Sequence, residues 1–351
     1  MPLSVSVFGG AGFTGALTAR LLFGHPSFEL RAVTARADAG RRLDALYPHH
    51  RVPLTLEELD LERQGDLDAA VVAYPHGAAA ELVAQLRERG VRVVDLSADF
   101  RLRDRAVYER WYREHPAPGL LADAVYGLPE LYREQIREAN LVANPGCYPT
   151  AALLALAPLA RAGAIKDVVI DAKSGASGAG RTPSEKTHFV TVDENVSAYG
   201  VSGHRHRPEI EQELAALGAE VRITFIPHLL PLDQGELVSC YVTLADGVAD
   251  SPALEPAPEP APKPAPELEP ELEQLYADAY DSEPFVELAG APPGVRDVRE
   301  TNICRISVHR DARTGRVIVF AAIDNLWRGA ASQAVQNLNL MFGLEEGEGI
   351  S

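Results

Sequence analysis

Gly9-Gly10-Ala11-Gly12-Phe13-Thr14-Gly15 lies between a short valine-rich run, Leu3 to Phe8, and a helical stretch, Ala16 to Phe23. A glycine loop that ends a strand and opens a helix constrains the fold strongly, because it fixes a strand-to-helix turn. Gly9, Gly12 and Gly15 make a GxxGxxG variant of the dinucleotide fingerprint. Gly9 suits the tight turn, Gly12 lets backbone N–H groups approach a pyrophosphate, and Gly15 lets the helix lie close to the sheet. Phe13 and Thr14 complete the loop. An ordinary tight turn is the competing reading, and the flanking strand and helix weigh against it.

The pattern continues with strands at Phe28 to Thr34, Leu67 to Ala73, Val91 to Leu96 and Leu141 to Ala143, and a helix at Ala78 to Arg89. Strands alternating with helices imply right-handed crossovers and a Rossmann-type, doubly wound parallel sheet. After an apolar helix, Ala151 to Arg161, the texture changes. Val168 to Ala172, Val221 to Ile226, Leu237 to Leu244, Ile303 to His309 and Val317 to Ile323 read as strands with few helices between them. The expectation is an α/β chain with a second, α+β domain built on a mixed sheet. The chain of 351 residues suits two domains. The expected division is 1–147, completed by 328–351, and 148–327, which carries catalysis and oligomerisation. Ser251 to Pro270 is rich in Pro, Ala and Glu and is read as an extended spacer.

A formal net charge of −17 opposes binding to nucleic acid or to an anionic membrane, since both need a basic footprint. Three separated cysteines with no CxxC pair oppose a disulfide framework and a zinc site. No metal is expected. The N-terminal residues lack a signal-type pattern, and no apolar run approaches the roughly 20 residues of a membrane span. The expected setting is cytoplasmic.

Thr34-Ala35-Arg36 ends the second strand where an NAD-binding chain usually offers an acid. A hydroxyl and a guanidinium suit a 2′-phosphate, so NADP(H) is favoured; a merely solvated Arg36 is the alternative. Asn144-Pro145-Gly146-Cys147 puts a cysteine at a helix start, where the helix field favours thiolate. Cys240 and Cys304 lie in alternating strands and read as small buried hydrophobes. His204 and His206, in GHRHRPE, are candidate proton carriers, and Arg205 suits a phosphate or carboxylate. Ser97 and Arg101 follow a strand end that lines the crevice of such sheets. Arg101 either clamps a phosphate or forms a salt bridge to Asp99 or Asp104. Ser174 to Gly180, with Ser177 and Gly178, reads as a second glycine-rich loop, lining the nicotinamide side or simply flexible.

DLSADFRL, AVYGLPEL, VANPGCYPT, SGASGAGR, GHRHRPEIEQ, PHLLP and AIDNLWRGAASQAVQNLNL occur in this order. Together they resemble the motifs of N-acetyl-gamma-glutamyl-phosphate reductases, relatives of the aspartate-semialdehyde dehydrogenases, across nearly the whole chain. The resemblance implies Cys147 as nucleophile, with His204 as acid/base and His206 as second choice. It implies phosphate or substrate contacts at Ser97, Arg101, Asn144 and Arg205, and cofactor contacts at Ser177, Gly178 and Asn325. The implied reaction is NADPH-dependent reduction of N-acetyl-L-glutamyl 5-phosphate through a cysteine thioester, in arginine biosynthesis, by a homo-oligomer (dimer or tetramer). The rival readings are a reductase of carrier-protein-bound aminoadipyl or glutamyl phosphate in lysine biosynthesis, and a non-catalytic NADP-binding sensor. One departure stands out. Where the family usually reads PMxRGI, this chain reads Pro231-Leu232-Asp233-Gln234-Gly235-Glu236.

Overall fold

The first sheet forms where the sequence is apolar without alternation, because both its faces are covered. The computed structural model describes residues 2–245 and 270–350. Its first half runs β1 (Leu3–Phe8), α1 (Phe13–Phe23), β2 (Phe28–Thr34), the short α2 (Leu43–Leu46) and α3 (Leu61–Gln64), β3 (Ala69–Val72), α4 (Ala80–Glu88), β4 (Arg92–Asp95), α5 (Arg105–Trp111), β5 (Ala124–Tyr126), α6 (Pro129–Glu138) and β6 (Leu141–Ala143). These strands form one parallel sheet in the order β2-β1-β3-β4-β6-β5. The winding reverses between β1 and β3, and the glycine loop leaves β1 at that switch point, where such sheets bind ligands.

The second half begins with α7 (Cys147–Arg161), followed by β7 (Ile165–Gly175), the short α8 (Phe189–Val192), β8 (Ser197–Ala198), α9 (His206–Ala216), β9 (Ile223–Leu230), β10 (Glu236–Leu244), α10 (Pro270–Tyr280), β11 (Val286–Leu288), β12 (Cys304–Arg310) and β13 (Val317–Ile323). The sheet order is β11-β12-β13-β10-β7-β9-β8. It is mixed as expected: β7 pairs parallel with β9 and β11 with β12, while the other pairs are antiparallel. One face packs on α7, whose residues Tyr148 to Ala160 are all buried. Cys240 and Cys304 are buried on this sheet, as their alternating setting suggests.

A π-helical turn, Trp327–Ala331, leads to α11 (Ser332–Met341). Ala334, Val335, Leu338 and Met341 join the core around β1 and α1, so the chain end packs on the first sheet. Two helices start earlier than the apolar periodicity alone suggests. α1 begins at Phe13 and α7 at Cys147, because Gly12 and Gly146 serve as their N-caps. Of the stretch 251–270, only Pro270, at the start of α10, lies within the described residues. Among the described residues no helix is long and apolar enough to cross a membrane.

Candidate active site

The glycine loop is explained mostly by its own packing. Gly9 has φ +96°, and a Cβ there would lie 2.6 Å from the Ala73 carbonyl oxygen beyond β3. A Cβ at Gly15 would lie 2.3 Å from the Gly9 oxygen, and one at Gly10 would lie 2.0 Å from Val33 Cγ1. Gly10 is a requirement that the glycine spacing does not reveal. Gly12 differs, because its Cβ would meet nothing nearer than 3.9 Å. Neither a side-chain cap nor a first-turn acid serves the start of α1. Its N–H groups are therefore a ready anion cradle, and the residues present fit a dinucleotide pyrophosphate.

Thr34 is 1% exposed and its hydroxyl is buried without a partner. Its carbonyl instead accepts from Gly9 N (3.1 Å) and Gly10 N (2.8 Å). The expected hydroxyl contact to a 2′-phosphate is thus corrected: Thr34 shapes the loop through its backbone. Arg36 is exposed, with its guanidinium 5.3 Å from the Tyr74 ring centroid at the end of β3. Arg181, from the SGASGAGR stretch, donates to the Ala11 carbonyl at 3.1 Å and pairs with Asp38, tying the two halves together. Asn325 accepts from Gly235 N at 2.7 Å and donates to Ser177 Oγ at 3.0 Å. A Cβ on Gly178 would lie 3.5 Å from Asn325 Nδ2. These three expected residues therefore do converge.

Cys147 is the first residue of α7. Gly329, in the π-helical turn, presses on it: a Cβ on Gly329 would lie 2.7 Å from Cys147 Cβ. Burial pushes the thiol well up, and the neighbouring Glu236 carboxyl adds to the rise; the Tyr148 N–H and Arg101 oppose it. The expectation of a thiolate favoured by the helix start is corrected for this state, since desolvation outweighs the helix field. Glu236 is fully buried, among the described residues neither carboxyl oxygen meets a nitrogen or oxygen donor, and burial pushes its pKa up to about 8.

His206 packs against the residue before the nucleophile, its Nε2 lying 2.5 Å from where a Gly146 Cβ would be. His204 sits one layer away, between Tyr148, Tyr199 and Phe225, and its Nδ1 accepts the His206 N–H at 3.1 Å. The geometry thus puts His206 rather than His204 beside the Cys147 turn. Both are held neutral. Burial and Arg205 push His204 down to about 4, and burial with His204, Arg101, His76 and Arg205 pushes His206 well down. His76, for which no motif gave a role, adjoins the same group and is also neutral: burial, with Arg101, Arg205 and His204, pushes it down to about 3. Arg205 is exposed, 5.6 Å over the Tyr112 ring.

Three residues expected to contact substrate have their polar atoms engaged within the fold. Ser97 is fully buried, donates to Asp95 Oδ2 at 2.6 Å and accepts from Asp99 N. Asn144 is fully buried and bonds Gln333 and Asn337 of α11. Arg101 spends Nε on the Asn144 carbonyl (2.7 Å) and Nη2 on the Leu96 carbonyl (2.9 Å), so it has no free fork for a bidentate phosphate. Its carboxylate partner is Glu209, at 3.5 Å, rather than Asp99 or Asp104. Glu209 also accepts from Gly146 N (2.9 Å) and Tyr126 OH (2.8 Å), bracing the nucleophile turn. A helical offset of three from His206 was the one sequence signal for Glu209. Gln234, where the motif resemblance led to an expected arginine, lends its carbonyl to Arg299 at 3.0 Å. Among the described residues no cluster of His, Cys, Asp and Glu is set to hold a metal ion.

Fold and site together define a semialdehyde-dehydrogenase-type chain. The family model "semialdehyde dehydrogenase, NAD binding domain" matches residues 4–139, and "semialdehyde dehydrogenase, dimerisation domain" matches residues 147–256 and 262–325. Among solved structures, aspartate semialdehyde dehydrogenase II from Vibrio cholerae superposes with a TM-score of 0.69 at 19% identity, covering 98% of this chain and 99% of that one. Aspartate semialdehyde dehydrogenase with NADP from Candida albicans gives 0.67 at 14% identity, covering 97% and 99%. These likenesses concern the fold. N-acetyl-gamma-glutamyl-phosphate reductases are far nearer in sequence. That of Dehalococcoides mccartyi (strain CBDB1) is 47% identical, over 97% of this chain and 94% of its own. That of Desulforudis audaxviator is 48% identical, over 99% and 98%, and that of Rubrobacter xylanophilus 48%, over 100% and 99%. The chain belongs to the N-acetyl-gamma-glutamyl-phosphate reductase family.

Proposed function

We propose that the chain reduces N-acetyl-L-glutamyl 5-phosphate to N-acetyl-L-glutamate 5-semialdehyde and phosphate, as an NADPH-dependent step of arginine biosynthesis. The observation that carries this reading is the convergence at the start of α7. There one cysteine meets a neutral histidine, a buried glutamate brace and the cations Arg101 and Arg205. Cys147 is the nucleophile, and its attack divides one hard acyl transfer into easier steps. His206 carries the proton, and His204 positions it through the Nδ1 contact. Arg205, with Arg101 behind it, supplies positive field for the departing phosphate. A phosphate arriving there would raise the depressed histidines and make them proton donors.

The glycine loop and the start of α1, with Arg36, would hold NADP(H), and Ser177, Gly178 and Asn325 would border the nicotinamide. When bound, NADPH supplies hydride to the acyl carbon. The chain divides at 147/148, with 328–351 returning to the cofactor half; the packing of α11 around β1 supports this. The protein is a cytoplasmic homo-oligomer. Exposed Phe189, Val190, Val196 and Val201, on the second half, support an apolar contact between copies.

The test is NADPH oxidation with free N-acetyl-L-glutamyl 5-phosphate against a carrier-protein-linked acyl phosphate. The reading requires turnover of the free substrate. Preference for the carrier form would move the protein to the rival reaction, and reduction of neither would remove the catalytic reading.

A further inference from the structure

The buried residues of β10 are Glu236, Val238, Ser239, Cys240, Val242 and Leu244. The even-numbered ones share a strand face, and Val238, Cys240, Val242 and Leu244 join the core around α7. Glu236 opens this series. It pairs with Ser174 of β7 on one side and with Ile323 of β13 on the other, so it sits in the interior of the sheet. Its backbone is fixed from behind, since Gly235, at φ +118°, donates its N–H to Asn325. Its buried side chain lies on the strand face that packs on α7, and Cys147, the first residue of α7, packs against the same core; the carboxyl and the thiol are close enough to shift each other's ionisation.

A buried acid with no partner is costly. Packing alone does not require one here, because the other buried residues of this face, Val238, Cys240, Val242 and Leu244, are apolar. The charged and titratable groups around it come from each neighbouring element. They are Cys147 and Tyr148 on α7, Tyr199 beyond β8, Asp324 after β13 and Cys304 on β12, with Arg101 acting on the thiol. No cation faces the carboxyl among these groups except Arg101, through the sulfur. Asp324 raises the acid further, whereas the thiol contact favours its ionised form.

We propose that Glu236 is a catalytic residue that shares a single proton with Cys147, accepting it when the sulfur attacks and returning it when the aldehyde leaves. This rests on the reading of Cys147 as nucleophile. In the attack, the S–H proton passes to the Glu236 carboxylate as sulfur bonds the acyl carbon. The carbon–oxygen bond to phosphate breaks, and phosphate departs with that electron pair, taking a proton from the histidine side or from water. After hydride addition, the oxyanion on the acyl carbon re-forms a carbonyl and the carbon–sulfur bond breaks. The sulfur then takes its proton back from Glu236. The glutamate ends as it began.

A pair that shares one proton titrates as a unit. The reactive form should therefore accumulate up to about pH 8 and then level off, the second proton coming away only at much higher pH. The test is the pH dependence of Cys147 alkylation by iodoacetamide, beside that of kcat, for wild type, Glu236→Gln, Glu236→Asp and Glu236→Ile. The isoleucine variant matches the apolar character of the rest of the strand face and guards against a folding failure. The expected result is a wild-type alkylation plateau above about pH 8 that Asp retains, while Gln and Ile keep rising beyond pH 9. Their kcat should fall by ~10²-fold or more, the usual worth of a general acid–base. Alkylation profiles of Gln or Ile that superpose on wild type would overturn the pair, whatever happens to kcat. Alkylation needs no substrate, so an intact plateau without acyl-phosphate reduction would sink the proposed reaction and spare the pair.

Discussion

Two buried glutamates flank the start of α7, and they differ in every contact. Glu209 accepts from the Gly146 N–H and the Tyr126 hydroxyl and faces the Arg101 guanidinium. Glu236 is equally buried, yet among the described residues no nitrogen or oxygen donor meets its two carboxyl oxygens. Burial raises both acids. At Glu209, Arg101 and the two donors oppose the rise; at Glu236 only the thiol does. Partner count, rather than burial, separates the structural acid from the chemical one. A satisfied carboxylate holds a turn in place, and an unsatisfied one remains available to move a proton.

The comparison breaks most visibly at Glu209. Glu209→Ala should cost about 3–5 kcal/mol of stability, the usual price of leaving a buried charge, here Arg101, without its partner. Urea unfolding would show it as a large drop in midpoint. Glu236→Gln should show no such drop, and equal losses in the two variants would erase the distinction drawn between them.

Gly329→Ala tests how finely the nucleophile is seated. The new methyl would lie 2.7 Å from Cys147 Cβ and 3.2 Å from its Cα, so either the helix start or the π-helical turn must shift. A misplacement of about 1 Å costs on the order of 10²-fold in rate. Steady-state kcat should fall by that order with NADPH affinity kept, and unchanged kcat would mean that the contact is slack.

The smallest effect sharpens the comparison by pH. The folded pKa of Glu236 is about 8 against an ordinary 4.5. Between these values the native state keeps a proton that the unfolded chain has released. Stability from this site is therefore full below pH 4.5 and is lost as pH rises toward 8. The loss runs at up to about 1.4 kcal/mol per pH unit. Wild type should accordingly lose stability relative to Glu236→Gln between pH 5.5 and 7.5, in urea midpoints at each pH. Parallel curves would show that Glu236 is already ionised.

The place of Cys147 at a helix start was legible in the sequence because the signal is local: a cysteine between a strand and a helix, in NPGCYPT. The same holds for Gly9 and Gly15, whose roles lie within one turn, and for the parallel winding of the first sheet. Ser97, Asn144 and Arg101 were legible as polar residues near strand ends. Nothing local says whether such a side chain turns toward the crevice or toward Asp95, Gln333 or the Leu96 carbonyl. Gly329 and Glu236 depend on contacts between distant segments. Gly329 needs the return of the chain end to α7. Glu236 needs the register of β10, which alone decides which face its side chain joins. The placement of the two histidines also needed the fold, since His204 and His206 lie in different layers around Tyr148.

The central claim is that Cys147 forms the covalent bond. Mixing the protein with N-acetyl-L-glutamyl 5-phosphate in the absence of NADPH, then mapping the acylated peptide by mass spectrometry, tests it directly. The expected result is an N-acetylglutamyl group on the peptide that contains Cys147, absent from a folded Cys147→Ser protein that has lost turnover. An acyl group on Cys240 or Cys304, or near-native turnover by Cys147→Ser, would contradict it.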